Sequence, residues 1–408
     1  MRTKTEAPFI YPVINDSLYV AQGIDSFSHN AGFRIFRPDP EVQYFPLCDD
    51  FGPMNMACVA SFVLQLDKEL ADFPSGRVVY CVEDDRRSLT NAVFLLGAYM
   101  ILSLQESIED VVDCFGWLNA DQHEEYRDAT FSQPTFRLAL ADCWRALAKA
   151  RQLGWVGPPD ADGFCGALDL REYAHYDDPL NGDMHEVVPG ELIAFVGPHE
   201  LGGEQYRDDE RGLRRFSPAF FAGLFEERGV SAVVRLNEAH YDSGAFADHG
   251  MALIDLPFDD CTPPPPAVAE AFLATVDGAE GPVAVHCKAG LGRTGTLIAL
   301  QLMRSEGFTA REAMGWLRIM RPGSVIGEQQ GYLCAVERGW KGAGAGGEVA
   351  GGAGGGAGDE ERDMGSDERR WSAEAAAEAV WAGVERQRAG RGRRCSAGLE
   401  SSLALVPE

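Results

Sequence analysis

Apolar runs of strand length alternate with stretches of helical spacing along most of this chain. Runs rich in Val, Ile and aromatic residues at 9–21 and 33–45 predict strands. Residues 54–70 carry helical spacing, and Pro74 ends that helix. A Val-rich strand within the run 77–88 precedes Cys81, and the longest apolar run, 92–104, is too short to span a bilayer and predicts a core helix. Helical spacing returns at 108–115 and 136–153. After residue 190 the pattern restarts, with strands at 192–196, 230–236, 252–256 and 281–285 and helices at 216–228 and 294–304. Alternating strands and helices predict an α/β fold built on central sheets. Thr309 and Glu312 form a capping box for a helix to 320, which Arg321-Pro322-Gly323 stops, and a last helix runs towards 340.

Between the two patterned halves, residues 154–190 are rich in Gly, Pro and Asp and read as a linker; Tyr173 to Asp178 and Asn181-Gly182-Asp183 are turn chemistry. The expected organisation is therefore a first domain at 9–153, a linker at 154–190, a second domain at 191–340 and a tail at 341–408. Each domain is expected to hold a central mixed sheet flanked by helices. Residues 1–8 read as a frayed start. The tail is rich in Gly, Ala and acidic residues with little to bury, and is expected to be disordered. Within it, 371–388 has the spacing of an isolated amphipathic helix. The basic run from Arg386 to Arg394 reads as a solvated tail, with a nuclear-import signal as the other reading.

The stretch that carries chemistry is Val285-His286-Cys287-Lys288-Ala289-Gly290-Leu291-Gly292-Arg293-Thr294. It links a buried strand to a buried helix, so its second half lies at a helix N-terminus, where unpaired N–H groups and the helix dipole favour an anion. Gly290 and Gly292 let the backbone turn further N–H groups inward. Arg293 supplies a planar fork for two phosphate oxygens. The same field favours the thiolate of Cys287, placed for in-line attack on phosphorus. Lys288, Ala289 and Leu291 complete the loop. Thr294 is expected to donate to the sulfur, and His286 to fix the loop by hydrogen bonding rather than to act as a base. The combination is the signature of the Cys-dependent protein tyrosine and dual-specificity phosphatases.

The first half repeats the arrangement without its chemistry. Cys81 and Arg87 are six apart, as are Cys287 and Arg293, and each pair sits between a Val-rich strand and an apolar helix. The earlier loop carries Glu83, Asp84 and Asp85 and no glycine, so it repels a phosphate dianion and lacks the inward-folding backbone. An internal duplication with a non-catalytic first loop is expected.

Composition narrows the setting. The chain carries −27 formal charge; residues 341–408 hold 12 acidic and 9 basic side chains, which leaves −24 on residues 1–340. Such an acidic body disfavours nucleic acid and anionic membranes and favours basic protein partners. Ten cysteines occur without a C-x-x-C pair, against a zinc site or a disulfide framework. No metal or other cofactor is called for. A thiolate enzyme needs a reducing compartment. With a polar N-terminus and no signal-peptide pattern, the expectation is a soluble intracellular protein.

A phosphocysteine mechanism also needs an acid for the leaving alkoxide and a base for water. The loop Leu256-Pro-Phe-Asp259-Asp260-Cys261-Thr262-Pro263 offers two carboxylates; either can reach the site, and Asp260 is favoured. Gln329 or Gln330 can orient the attacking water.

The match to known sequences extends beyond the loop. The run from His286 to Ala299, Arg321-Pro-Gly-Ser-Val-Ile-Gly327 with Gln329-Gln330, Val233-Val-Arg-Leu-Asn237, Phe195-Val-Gly-Pro-His199, Asn181-Gly-Asp183, Asp50-Phe-Gly-Pro53 and the helix from Asn91 resemble the mitotic-exit dual-specificity phosphatases known as cell division cycle fourteen. The resemblance covers roughly residues 9–340. It implies two tandem dual-specificity-phosphatase-like domains, only the second catalytic, with Cys287 as nucleophile, Arg293 as phosphate binder and Asp260 as acid. It also implies phosphoprotein substrates with phosphoserine before proline and downstream basic residues, read by acidic groups near the domain interface, in the nucleus and cytoplasm. Two departures stand out. Cys261-Thr-Pro follows the acid where the family usually has Gly-Ser-Thr-Pro. Tyr173-Ala174-His-Tyr-Asp177 replaces Tyr-Glu-His-Tyr-Glu, which leaves Asp177 as the remaining substrate-reading carboxylate. The rival readings are a phosphoinositide phosphatase, opposed by Leu291 in place of a second loop Lys, and a phosphoprotein-binding scaffold without turnover.

Overall fold

The computed structural model describes residues 10–24 and 32–345. The first sheet is formed by β1 (Ile10–Ile14), β2 (Leu18–Gln22), β3 (Phe33–Phe36) and β4 (Arg77–Val82), with helices α1 (Met56–Asp72), α2 (Arg86–Leu102), α3 (Ile108–Cys114) and α4 (Leu140–Gln152). Its strand order is β1-β2-β4-β3, with β4 parallel to both neighbours and β1 antiparallel at one edge. Two short strands, β5 (Phe164–Cys165) and β6 (Leu168–Asp169), and helix α5 (Leu170–Asp177) follow.

The second half contains β7 (Met184–Val188), β8 (Leu192–Phe195), the hairpin β9 (Tyr206–Asp208) and β10 (Arg214–Phe216), α6 (Pro218–Glu227), β11 (Ala232–Arg235), α7 (Gly244–Ala247), β12 (Ala252–Asp255), α8 (Pro266–Gly278), β13 (Val283–His286), α9 (Gly292–Ser305), α10 (Ala310–Met320) and α11 (Glu328–Ala345). Its sheet runs β12-β11-β13-β8-β7, with β13 parallel to β11 and β8, and β7 antiparallel at the edge. The two sheets thus share a plan: an antiparallel edge, then parallel strands with a central strand that feeds the loop of interest. Two tandem α/β domains of this kind are what the sequence pattern predicted.

Several local expectations shift. The helix expected from 136 begins at Leu140, because Leu138 exchanges backbone hydrogen bonds with Tyr126 (3.0 and 2.8 Å) and cannot also enter a helix. Asp142 then caps the start by accepting from the Ala139 N–H at 2.9 Å. The expected linker 154–190 is largely ordered structure. Asp169 caps α5, so 173–177 is helix rather than turn. β7 hydrogen-bonds to β8 and is an integral strand of the second sheet. The last helix continues past 340 to Ala345. Expectations for residues 1–8 and for the chain beyond 345 fall outside the described residues. The capping box at Thr309 and Glu312 forms as read.

The halves share one apolar core, which includes Phe94 and Trp144 from the first and Leu297, Met314 and Trp316 from the second. Helix α10 lies against α4 at Gly315, where an added Cβ would sit 3.1 Å from Cys143 Cα and 3.2 Å from Asp142 O. Buried Trp316 donates from Nε1 to Val187 O at 2.8 Å, and Tyr173 donates its hydroxyl to Met320 O at 2.8 Å. Among the described residues no helix is long and apolar enough to cross a membrane.

Candidate active site

Strand β13 is buried along its whole length and delivers Cys287 to the C-terminal edge of the parallel sheet, the usual ligand position in such sheets. Cys287 is 2% exposed. The loop then turns back through Gly290, whose φ of +70° suits glycine, and whose added Cβ would lie 2.0 Å from Phe195 O. Helix α9 opens at Gly292 with no side chain capping its first N–H groups, so those donors are left for an anion.

Arg293, 3% exposed, is held from behind: Nη1 donates to Phe258 O at 2.9 Å and to Leu236 O at 3.2 Å. Its Nε lies 3.3 Å from Asp260 Oδ1. Asp260 is about one-third exposed and also accepts from the Cys261 N–H at 3.0 Å. Asp259, by contrast, is exposed and uses its backbone carbonyl to accept from Thr262 Oγ1 at 2.8 Å. The loop turns at Cys261, which adopts a φ of +59°, and burial pushes its thiol up to about 12.

His286 is fully buried. Its Nδ1 donates to Cys287 O at 3.0 Å and its Nε2 accepts from Tyr241 Oη at 2.7 Å. Burial pushes its pKa down to about 3, with Arg235 and Arg293 nearby adding to the depression. The imidazole is thus neutral, with both ring nitrogens engaged. Thr294 is also buried, but its hydroxyl has no hydrogen-bond partner among the described residues, so the expected donation to Cys287 is not made here.

The two glutamines separate. Gln329 Nε2 donates to Thr262 O at 3.1 Å in the loop that carries Asp260, and its Oε1 lies 3.0 Å from where a Cβ on Gly292 would be. Gln330 is turned inward, accepts from Arg318 Nη2 at 2.8 Å and donates to Gly327 O at 3.1 Å. Lys288 is exposed at the mouth of the loop, and Ala289 and Leu291 pack with Ile326, Leu47 and Ala129. The last two come from the first domain, which therefore forms part of the wall.

Asp177 corrects the sequence reading. It was expected to face substrate, but it is 3% exposed. Its Oδ1 meets His185 Nε2 at 2.9 Å and its Oδ2 accepts from Asn55 Nδ2 at 3.0 Å. Helix α5 turns this face towards β7 and α1, and Ala174 on the same helix is likewise buried. The sequence reading quoted Arg321 in a helix stop and in the family resemblance but gave it no role at the loop. Buried at 2% exposure, it donates to the loop carbonyls of Gly290 (2.7 Å) and Ala289 (3.0 Å). The arginine of a helix-terminating Arg-Pro-Gly gives no local sign of that reach.

In the equivalent loop of the first domain the helix start and the arginine are both engaged by side chains of this chain. Asp85 caps α2 by accepting from the Ser88 N–H at 2.9 Å, which fills the position an anion would take. Arg87 is held by Asp49 at 2.9 Å and Glu124 at 3.1 Å, and this pairing keeps the Asp49 carboxyl below its usual range.

Comparison with known proteins agrees with this geometry. Residues 12–150 match the family model "Dual specificity protein phosphatase, N-terminal half", and residues 219–307 match "Polymorphic toxin system, DSP-PTPase phosphatase". The chain is 36% identical over 326 residues to dual specificity protein phosphatase CDC14C of Symphalangus syndactylus, covering 79% of this chain and 65% of that one. It is 36% identical over 328 residues to CDC14C of Homo sapiens, covering 79% and 70%. Tyrosine-protein phosphatase cdc-14 of Caenorhabditis elegans is 38% identical over 300 residues, covering 72% and 41%. The chain thus spans just under two thirds of the first of these relatives and less than half of the third. With a matching first-half model, relatives aligned across both domains and the Cys-to-Arg loop seated between β13 and α9, the chain belongs to the CDC14 family of dual specificity phosphatases, within the cysteine-based protein tyrosine phosphatase superfamily.

Proposed function

We propose that this protein is a phosphatase that removes phosphate from serine, threonine and tyrosine side chains of proteins through a phosphocysteine intermediate. The observation that carries the reading is the convergence on one spot of Cys287, the uncapped start of α9, buried Arg293 and, 3.3 Å from Arg293, the Asp260 carboxylate.

In the first step the Cys287 thiolate attacks phosphorus, the P–O bond of the ester breaks, and Asp260 gives its proton to the leaving oxygen. The α9 N–H groups and Arg293 hold the equatorial oxygens, where charge stays concentrated. In the second step water attacks the phosphocysteine, Asp260 takes its proton, and inorganic phosphate leaves with Cys287 restored as thiolate. Gln329, set between the acid loop and Gly292, orients that water, whereas Gln330 braces the loop beneath it. The first domain at 9–153 has no catalytic part. Its loop, with helix start and arginine engaged, leaves Cys81→Ser without effect on turnover.

The preferred substrates are phosphoserine-proline sites followed by basic residues, drawn by the acidic body, and the protein works in the nucleus and cytoplasm. Phosphate release from matched peptides tests this: pSer-Pro, pThr-Pro and pTyr, each with and without downstream Lys, beside a phosphoinositide. Fastest turnover of pSer-Pro with downstream Lys, weakening as salt screens the attraction, is the expected result. Preference for the lipid, or no turnover at all, overturns the reading.

A further inference from the structure

We propose that His185 and Asp177 are positioning residues for the phosphate-binding loop, acting through Arg321 and tied to the first domain by Asn55. The proposal rests on the reading of that loop as an oxyanion cradle.

A cradle of inward N–H groups needs its carbonyls turned outward, and buried carbonyls need donors there. Arg321 is that donor for Gly290 and Ala289. A guanidinium is a rigid plane, so the partners of its remaining nitrogen set how the plane is rolled. Nη1 is placed against Asp183 O at 3.1 Å, Asp183 Oδ1 at 2.8 Å and His185 Nδ1 at 2.9 Å. Because Arg321 can only donate, His185 accepts on Nδ1 and carries its proton on Nε2. That proton is donated to Asp177 Oδ1 at 2.9 Å.

The relay does not stop within the second domain. Asp177 Oδ2 accepts from Asn55 Nδ2 at 3.0 Å, while Asn55 Oδ1 caps α1 by accepting from the Cys58 N–H at 3.0 Å. The Asn55 amide is therefore fixed at its oxygen by the first domain and at its nitrogen by Asp177. Asn55, Asp177, His185 and Arg321 are each no more than 4% exposed, and a buried network with every member satisfied has one arrangement. It runs from the start of α1, through the end of α5 and strand β7, to the end of α10 and the loop.

Removing the imidazole takes one of the three partners of Nη1 away and leaves the roll of the guanidinium plane to Asp183 alone. A loop peptide can then turn its carbonyl towards the anion site, where an oxygen replaces a donor and repels the phosphate. The loss should fall below the roughly 10²–10³-fold seen when a preorganised donor is removed outright.

The test uses the full chain, para-nitrophenyl phosphate as substrate and inorganic tungstate as the oxyanion probe, with thermal unfolding measured alongside. His185→Ala is expected to lower kcat by about 10- to 100-fold and to weaken tungstate binding, measured by calorimetry, in parallel. His185→Gln keeps an acceptor and a donor, and is expected to recover most of both losses. Asn55→Ala should shift both quantities in the same direction by a smaller factor. A merely structural role predicts lower thermal stability with kcat and tungstate affinity within twofold of the natural chain, and that result overturns the proposal. Where His185→Ala does not fold, His185→Asn, which shortens the bridge, is read on the same two scales. A natural chain that neither binds tungstate nor turns over substrate overturns the cradle reading itself. Intact natural activity with an indifferent His185 variant overturns only the relay.

Discussion

Asp259 and Asp260 are neighbours in sequence with different surroundings. Asp260 sits 3.3 Å from the Arg293 Nε, while Asp259 is exposed and anchors the turn through its backbone. Proton transfer needs a group within reach of the leaving oxygen, and of the two only Asp260 faces the Arg293 guanidinium. Asp260→Ala should therefore slow turnover of phosphoserine peptides by roughly 10²–10⁴-fold, with a smaller effect on aryl phosphates whose leaving group needs less help. Asp259→Ala should stay close to the natural rate. Steady-state kinetics on both ester types checks this, and the reverse ranking would move the acid to Asp259. His286 shows the opposite lesson. Its position beside the cysteine invites a catalytic role, yet burial keeps it neutral and its two nitrogens are committed to Cys287 O and Tyr241.

At the scale of elements, the contact that joins the halves is α10 on α4. Glycine at 315 allows the helices to approach until an added Cβ would lie 3.1 Å from Cys143 Cα, and the obstacle is backbone that cannot rotate away. Gly315→Val should force the helices apart and cost about 1–3 kcal/mol through overpacking. Thermal unfolding with intact secondary structure at low temperature measures it, and an unchanged melting temperature would mean that the interface yields freely. Because Trp316 follows directly and donates to Val187 O in β7, the same variant should also disturb the strand that carries His185. Strand β7 itself shows why element boundaries were hard to read. Its sequence MHEVV follows a turn-rich stretch. Its partner β8 is what makes it a strand.

At the scale of the whole molecule, two buried neutral histidines tie stability to pH. Burial lowers the pKa of His286 to about 3 and that of His185 in the same direction. The groups facing His286 include Tyr241, Arg235, Arg293 and Asp255; those facing His185 include Tyr173, Asp177, Asp183 and Arg321. In both cases the unfolded chain, with a histidine pKa near 6.5, binds a proton that the folded state refuses. The contribution of His286 is therefore complete above about pH 6.5 and is lost as pH falls from there towards 3, and that of His185 is likewise complete above about pH 6.5 and falls on the acid side. Urea unfolding at pH 7.5, 6.5 and 5.5 should show falling stability on the acid side, with a shallower slope for His286→Gln. A flat profile across that range would contradict the burial of these rings as neutral groups.

The chain by itself determined the α/β alternation, the two-domain plan and the strand–loop–helix turn that carries Cys287 and Arg293. These are local facts: side-chain periodicity sets strand and helix, and a cysteine, two glycines and an arginine between them set a helix N-terminus aimed at an anion. The different make-up of the first loop was legible for the same reason, since Glu83, Asp84 and Asp85 stand there in place of glycines. Tertiary structure alone decided what faces what. Asp177 looks like a solvent-facing carboxylate in a turn-rich segment, but α5 folds it against Asn55, 122 residues away. Arg321 looks like a helix stop, but it holds loop carbonyls 31 and 32 residues back. Hydrogen bonds across such separations leave no periodic trace in sequence. They arise only when packing of the shared core brings the ends of α1, α5 and α10 to the back of the same loop.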